Sequence, residues 1–321
     1  MIKNHSRCAV AALCDVNTSL SEHAAEHHQG VPFYDSVEEM LEKEGDNIEV
    51  VNVCTPNSLH SEHALAALNA SKHVVCEKPM GLSKAACEDV IHRALQVSRH
   101  VFCVMQNRYS PPSVWLKEVV DNKLLGEIFL VHINCYWNRD DRYYGISDWK
   151  GTLKFDGGPL FTQFSHFIDI MYWLFGDITA VQARFTNFNH HHNTEFEDSG
   201  LVNFKFCKGG LGSINYSTSV WNSNLESSIT IIGEKGKVKV GGQYMEKVEV
   251  CDIEGYEMPE LPPANPPNDY GPYKGSAANH SFVIQNVVDT LSGSGVATTN
   301  ALEGLKVVEI IESIYDHRPE F

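Results

Sequence analysis

Val50-Val51-Asn52-Val53-Cys54 and His73-Val74-Val75-Cys76 are short apolar runs rich in β-branched residues, and the stretch between them, from about Ser61 to Asn69, is helical in texture. Two such runs joined by a helix read as buried parallel strands with their crossover. The first strand stops at Thr55-Pro56, because proline cannot continue the ladder. The second ends on Glu77-Lys78-Pro79. Both strands therefore release polar residues at their carboxyl ends, the edge at which open parallel sheets bind ligands.

The same alternation extends in both directions. Ala9 to Val16 reads as a strand ending at an acid, Asp15, and Ser19 to about His28 as a helix closed by Gly30. Val31 to Tyr34 reads as an edge strand, since proline is tolerated there. Ser36-Val37-Glu38-Glu39 is a capping box for a helix through Glu44. Ser83 starts a helix to about Ser98, and Val101 to Met105 is a further strand. Strands alternating with helices predict a doubly wound α/β domain over residues 1–108.

After Arg108 the texture changes. Pro111-Pro112 opens a helix to about Lys123, Ile128 to Trp137 has long strand character, and a helix follows near Phe164 to Leu174. Segments around 180–187, 201–206, 210–216, 228–232 and 237–240 read as antiparallel strands with glycine turns. Met258 to Pro272 carries six prolines and reads as a loop, and 276–291 and 301–315 as closing helices. Residues 109–321 are thus expected to form an α+β domain on one large, mostly antiparallel open sheet.

A chain of 321 residues is long enough for two domains with cores of their own. Its formal charge of −16 argues against nucleic acid or an anionic membrane as the main partner, because both call for clustered Lys and Arg. No apolar run approaches the roughly 18 residues of a membrane span. The nine cysteines are scattered, with no C-x-x-C pair, which suits reduced thiols and a cytoplasmic setting better than a disulfide framework.

The motifs resemble the signature of the glucose-fructose oxidoreductase / inositol dehydrogenase (Gfo/Idh/MocA) family. Its T/S-P-N-x-x-H, helix, strand and E-K-P pattern is matched by Thr55, Pro56, Asn57, His60, Glu77, Lys78 and Pro79. Gln106 to Pro111 resembles its N-x-R-x-x-P junction, and Leu125-Gly126-Glu127-Ile128 the opening of its second domain. Gly157-Gly158-Pro159-Leu160 with Ser165-His166-Phe167-Ile168-Asp169 resembles its G-G-x-L…H-x-x-D segment. Five matches in the right order are far more specific than any one of them.

The resemblance implies a Rossmann-like domain binding NAD and a second domain whose sheet makes subunit contacts, hence a homo-oligomer, dimer or tetramer. It places the ribose-binding carboxylate at Asp15, and an acid there favours NAD over NADP. The family's first strand and glycine-rich phosphate turn have no counterpart in the 14 residues before Asp15. By comparison with the family, roughly 20–25 residues are expected to be missing in front of this sequence. The opposing expectation is a variant that has lost ordinary cofactor binding.

The implied reaction is NAD-dependent oxidation of a secondary hydroxyl of a sugar or sugar derivative, such as a UDP-linked N-acetyl sugar or uronate. Removing hydride from such a carbon requires a base at the hydroxyl and a donor that holds its oxygen. Lys78 and His166 are the candidates, delivered from different domains. Thr55, Pro56, Asn57, His60, Glu77 and Lys78 are expected to line the cofactor. Many members carry an aspartate four residues before the histidine; here Thr162 stands there and cannot act as a base. Thr162 becomes a candidate substrate contact, and Asp169, also in the expected substrate set, could orient the imidazole or simply cap local structure.

Arg108, Arg139, Tyr144, Trp149 and Lys150 complete the expected substrate-binding set, since aromatics among basic residues stack on rings and pair with phosphate or carboxylate. No metal is expected: His190-His191-His192 reads as a solvated loop, because consecutive residues share no face. Asn279-His280 is a possible cleft contact or only a helix cap. Two other readings stay open, a redox glycosidase using transient oxidation and a non-catalytic binding subunit.

Overall fold

The computed structural model describes residues 2–271 and 273–319. They form two compact units, Met1–Val104 with His280–Leu305, and Met105–Asn279 with Lys306–Phe321.

In the first unit, Val50–Val53, His73–Cys76 and Val101–Cys103 form a three-stranded parallel sheet in that order. Helices His60–Asn69 and Lys84–Val97 connect the strands. The second begins where the sequence predicts, with the Ser83 hydroxyl accepting the Ala86 N–H. The Ser36 cap on Val37–Glu44 is formed as well, by a bond from the Glu39 N–H. Val74, Val75 and Cys76 are buried, as a strand covered on both faces requires.

The strand expected over 9–16 is only Leu13–Cys14, paired in parallel with Phe33–Tyr34 in a separate two-stranded sheet. Among the described residues this ladder is its sole partner, so two residues are all that pairing holds extended. Residues 280–305 fold with this unit, unlike the expected division at 108/109. The cause is a tertiary pairing: the Cys103 N–H donates to the Thr299 carbonyl at 3.1 Å, and Asn300 bridges to Phe102.

The second unit holds a seven-stranded sheet in the order Lys247–Ile253, Gly236–Gly241, Glu226–Gly233, Ile128–Tyr136, Leu211–Ser217, Ser199–Phe206, Ile178–Thr186. All neighbours are antiparallel except Ile128–Tyr136 with Leu211–Ser217. Alternation along these strands buries Val131, Ile133, Cys135, Val202, Phe204, Ile214, Ile229 and Ile231 on one face. Helix Ser165–Phe175 packs there: Phe164 at its start lies 5.4 Å from the ring of Tyr216, and Phe175 at its end 5.1 Å from Phe206. Gly200 faces Tyr216 across the ladder, and a Cβ at Gly200 would lie 2.5 Å from that ring, so only glycine lets the tyrosine cross it.

Two strand features escaped the sequence reading. Lys247–Ile253 is an edge strand of mixed polarity. Within the proline-rich segment, Pro267–Asp269 pairs with Lys274–Ala277, because an edge strand can carry proline. Pro272, the last residue of that segment, lies outside the described residues.

Candidate active site

In the first unit the register Val53↔Cys76, continued by a 2.9 Å bond from the Glu77 N–H to the Val53 carbonyl, makes Thr55-Pro56-Asn57 and Glu77-Lys78-Pro79 leave the sheet side by side. His60 ties the two loops together. Its Nδ1 lies 2.6 Å from the Pro79 carbonyl and its Nε2 2.7 Å from the Thr55 carbonyl, with the side chain 1 % exposed. Burial lowers its pKa against the pull of the two carbonyls, and the charge of Lys78 lowers it further. His60 was expected to line the cofactor; it sits beneath the loops as their brace. Asn57 is buried too, while Thr55 is half-buried and bonds His63 through its hydroxyl at 3.0 Å.

Glu77 and Lys78 have a neighbour that sequence spacing could not reveal. His280, at the start of helix His280–Leu291, puts its Nε2 3.7 Å from the Glu77 carboxylate. Burial raises the Glu77 pKa, opposed by Lys78, and burial with Lys78 lowers that of His280. Asp15 follows Leu13–Cys14 with its carboxylate exposed and, among the described residues, accepts a single bond, 2.8 Å from the Asn17 N–H. That leaves carboxylate lone pairs for a ribose diol, and Lys78 with Thr55 offers donors at the sheet edge. The residues fit a dinucleotide at its ribose and nicotinamide ends.

In the second unit His166 lies in the first turn of Ser165–Phe175 and is 3 % exposed. Thr162 ends a separate short helix, Pro159–Thr162, ahead of the helix expected near 164–174, which runs over Ser165–Phe175. The Thr162 hydroxyl donates to the carboxylate of Asp156, a fully buried acid that also accepts the Gly151 N–H at 2.9 Å. The carboxylate absent at 162 is thus supplied from six residues upstream, immediately before the glycine pair. Gly158, at φ +120°, leaves room for Arg318 and Tyr315; a Cβ there would stand 2.8 Å from the Tyr315 hydroxyl. Arg318 in turn donates to the Gly157 carbonyl at 3.2 Å and pairs with buried Glu197 at 2.9 Å, holding the turn that precedes His166.

Beside this turn lies a cationic aromatic box. The Arg139 guanidinium is 4.7 Å from the ring of Trp137, 5.2 Å from Tyr143 and 5.0 Å from Tyr273. The Lys150 ammonium is 4.2 Å from Tyr143, 5.2 Å from Tyr273 and 5.9 Å from Trp149. Among the described residues neither cation has a carboxylate within salt-bridge distance. Burial lowers the Lys150 pKa; Asp156 opposes this and Arg139 adds to it. Gln163 donates to the Tyr143 hydroxyl at 2.9 Å, tying the box to the His166 segment.

The structure separates the expected substrate residues by exposure. Trp149, Lys150 and Thr162 are half-buried. Arg139 is 2 % exposed, and its two Nη groups donate to the carbonyls of Asn138 and Lys274 and to Asn224, so it acts on the box chiefly through its charge. Tyr144 is buried against Tyr143 and His190. Arg108 and Asp169 are buried and pair with each other, Nε to Oδ2 at 2.8 Å and Nη2 to Oδ1 at 2.6 Å, a structural role in place of the expected substrate contact.

The histidine triplet is not uniformly a solvated loop either. His190 is 2 % exposed, with its Nδ1 3.5 Å from Asp198. Burial raises the Asp198 pKa, but bonds from His190, the Asn189 N–H, Ser219 and Ser199 outweigh it and hold the carboxyl far below the usual range. A depressed carboxylate adds stability that is complete above its unfolded pKa, about 3.9, and is lost as pH falls toward the folded value. Asp198→Asn is therefore expected to lower the melting temperature at pH 7 and to flatten its fall between about pH 5 and 2. Parallel melting curves for variant and wild type across that range would refute the assignment.

A parallel sheet with polar loops at its carboxyl edge is the build of a dinucleotide-binding domain, and the second unit carries a histidine and a cationic box of its own. Residues 1–104 match the oxidoreductase family with an NAD-binding Rossmann fold, and residues 114–239 match the GFO/IDH/MocA C-terminal domain. The chain belongs to the GFO/IDH/MocA oxidoreductase family, and its cofactor is NAD. It is 30 % identical to the WlbA dehydrogenase of Chromobacterium violaceum, crystallised with NADH and UDP-GlcNAcA, with a TM-score of 0.86 over 98 % of this chain and 87 % of that one. The corresponding enzyme of Bordetella pertussis, in complex with the same two compounds, is 29 % identical with a TM-score of 0.84 over 97 % of this chain and 88 % of its own. An inositol 2-dehydrogenase/D-chiro-inositol 3-dehydrogenase of Lactiplantibacillus plantarum is 26 % identical over 75 % of this chain and 66 % of its own length. The chain spans about half to two thirds of the length of the curated relatives it matches.

Proposed function

We propose that this protein is an NAD-dependent dehydrogenase that oxidises a secondary hydroxyl of a sugar bearing an anionic group, such as a nucleotide-linked N-acetyl uronate. The observation that carries the reading is the box around Lys150, where two cations share aromatic walls and one buried acid, Asp156, acts on Lys150. A net positive charge in a partly desolvated, ring-lined site favours a carboxylate on a pyranose. The two WlbA dehydrogenases, crystallised with UDP-GlcNAcA, support the same substrate class by likeness.

Lys78 donates to the substrate hydroxyl oxygen and stabilises negative charge there as its proton leaves. His166 takes that proton through a ring nitrogen. Glu77 and His280 hold the local field at Lys78, and the His60 brace fixes the loop that carries it. Asp15 holds the adenosine ribose. When bound, NAD supplies the hydride acceptor.

An NADH titration followed by fluorescence comes first, then NADH formation with an N-acetyl uronate and with its neutral counterpart. The acidic sugar is expected to be the better substrate. Lys150→Met should raise its KM roughly 10–100-fold, from the ~1.5–3 kcal/mol of a charge-assisted hydrogen bond, while hardly affecting the neutral sugar. Equal KM values for both sugars in the wild type, or an equal loss for both in the variant, would sink the anionic-substrate reading.

A further inference from the structure

We propose that His23, Glu26 and His27 form a surface site for a divalent transition-metal ion of the zinc class, which staples the helix that follows Asp15. The three residues are spaced i, i+3, i+4 on helix Leu20–His27, so their side chains share one face. Their ligand atoms all lie within 4.8 Å of one another, and all three side chains are exposed. The rings of His23 and His27 stand 4.1 Å apart. Two imidazoles and one carboxylate are a donor set zinc accepts, with solvent completing the coordination.

The tautomer at one ligand is already set. His27 Nδ1 lies 3.0 Å from the His23 carbonyl, which can only accept, so Nδ1 carries the hydrogen and Nε2 keeps its lone pair for a metal. A ring N–H anchored on a backbone carbonyl is the arrangement that orients metal-binding histidines. The Lys3 ammonium bonds the His27 carbonyl at 2.5 Å, closing the end of the helix.

The helix also has something to gain. It is eight residues long, buries none of them, and the Ser19 hydroxyl at its start accepts no capping bond from the helix's own N–H groups. Helices this short are marginal unless packing or a cross-link holds them. A metal bridging His23 and His27 adds one link across a full turn. The helix grows from the turn in which the Asp15 carboxylate accepts the Asn17 N–H and the Asn17 side chain accepts from Ser19 at 2.6 Å.

Zinc titration of the full chain by calorimetry, with the variants His23→Gln, His27→Gln and Glu26→Gln, tests the site. Either histidine change should weaken one binding event at least tenfold, with a smaller loss for Glu26→Gln and none for a control change at His5. Zinc should also slow amide hydrogen exchange across residues 20–27 in the wild type and leave it unaltered in the histidine variants. Because the three side chains are exposed, melting temperatures without metal should match the wild type. Zinc affinity within twofold of wild type in both histidine variants, or exchange over 20–27 unmoved by zinc, would overturn the proposal.

Discussion

Lys78→Met is expected to lower kcat by about 10²–10⁴-fold, the range a positioned proton-handling group contributes, while the melting temperature and NADH affinity stay close to wild type. Lys78 leaves the sheet directly after His73–Cys76, and its charge is felt by Glu77, His60 and His280 alike. That places an ammonium at the carboxyl edge of a parallel sheet, where a bound dinucleotide presents its reactive ring. The loop is held independently of the lysine side chain, by the His60 ring on the Pro79 carbonyl and the Ser61 hydroxyl on the Met80 carbonyl at 3.1 Å. Losing the ammonium should therefore cost turnover and not fold. Lys78→Arg keeps a charge but spreads it over a planar fork, and should recover only part of the rate. A folded methionine variant retaining more than about a tenth of wild-type kcat is the result that removes Lys78 from the chemistry.

The largest loss of stability is expected from Asp169→Asn. Arg108 and Asp169 have side chains 0 % and 1 % exposed, joined by two parallel bonds, with the guanidinium 5.2 Å from the ring of Trp173. Removing one charge leaves the other buried without its counter-ion, which costs about 3–5 kcal/mol. In a unit of this size that is roughly 6–20 °C in Tm. Replacing both partners by apolar residues, as in Arg108→Met with Asp169→Leu, should recover much of the loss, because no charge is then stranded. A drop of under about 1 kcal/mol in Asp169→Asn, measured by urea denaturation, would mean that the pair contributes no more than a surface bridge.

Several tiers of this organisation were legible in the chain. The strands before Thr55 and Glu77 announce themselves because consecutive β-branched residues and a terminating proline are local properties. The caps at Ser36 and Ser83 and the helix after Asp15 are local as well. So is the family pattern that points to Lys78 and His166, since it is written in short motifs. Alternation along 199–206 and 211–217 likewise names the buried face of the second sheet before any partner strand is known.

What the tertiary structure decided is which polar residues face inward. Arg108, Asp169 and Arg139 read as ligand contacts because charged residues beside motifs invite that reading, yet all three are enclosed by partners remote in sequence. Asp156 reaches the Thr162 hydroxyl because the chain turns back through Gly157-Gly158, and His280 reaches Glu77 over some two hundred positions. His190 is buried by Tyr144 and Asp198 although the two residues after it, His191 and His192, are exposed histidines. Periodicity and motif spacing report on a residue's own few neighbours in the chain. Burial of a charge depends on a counter-charge or carbonyl supplied from elsewhere, and only the folded backbone sets that pairing.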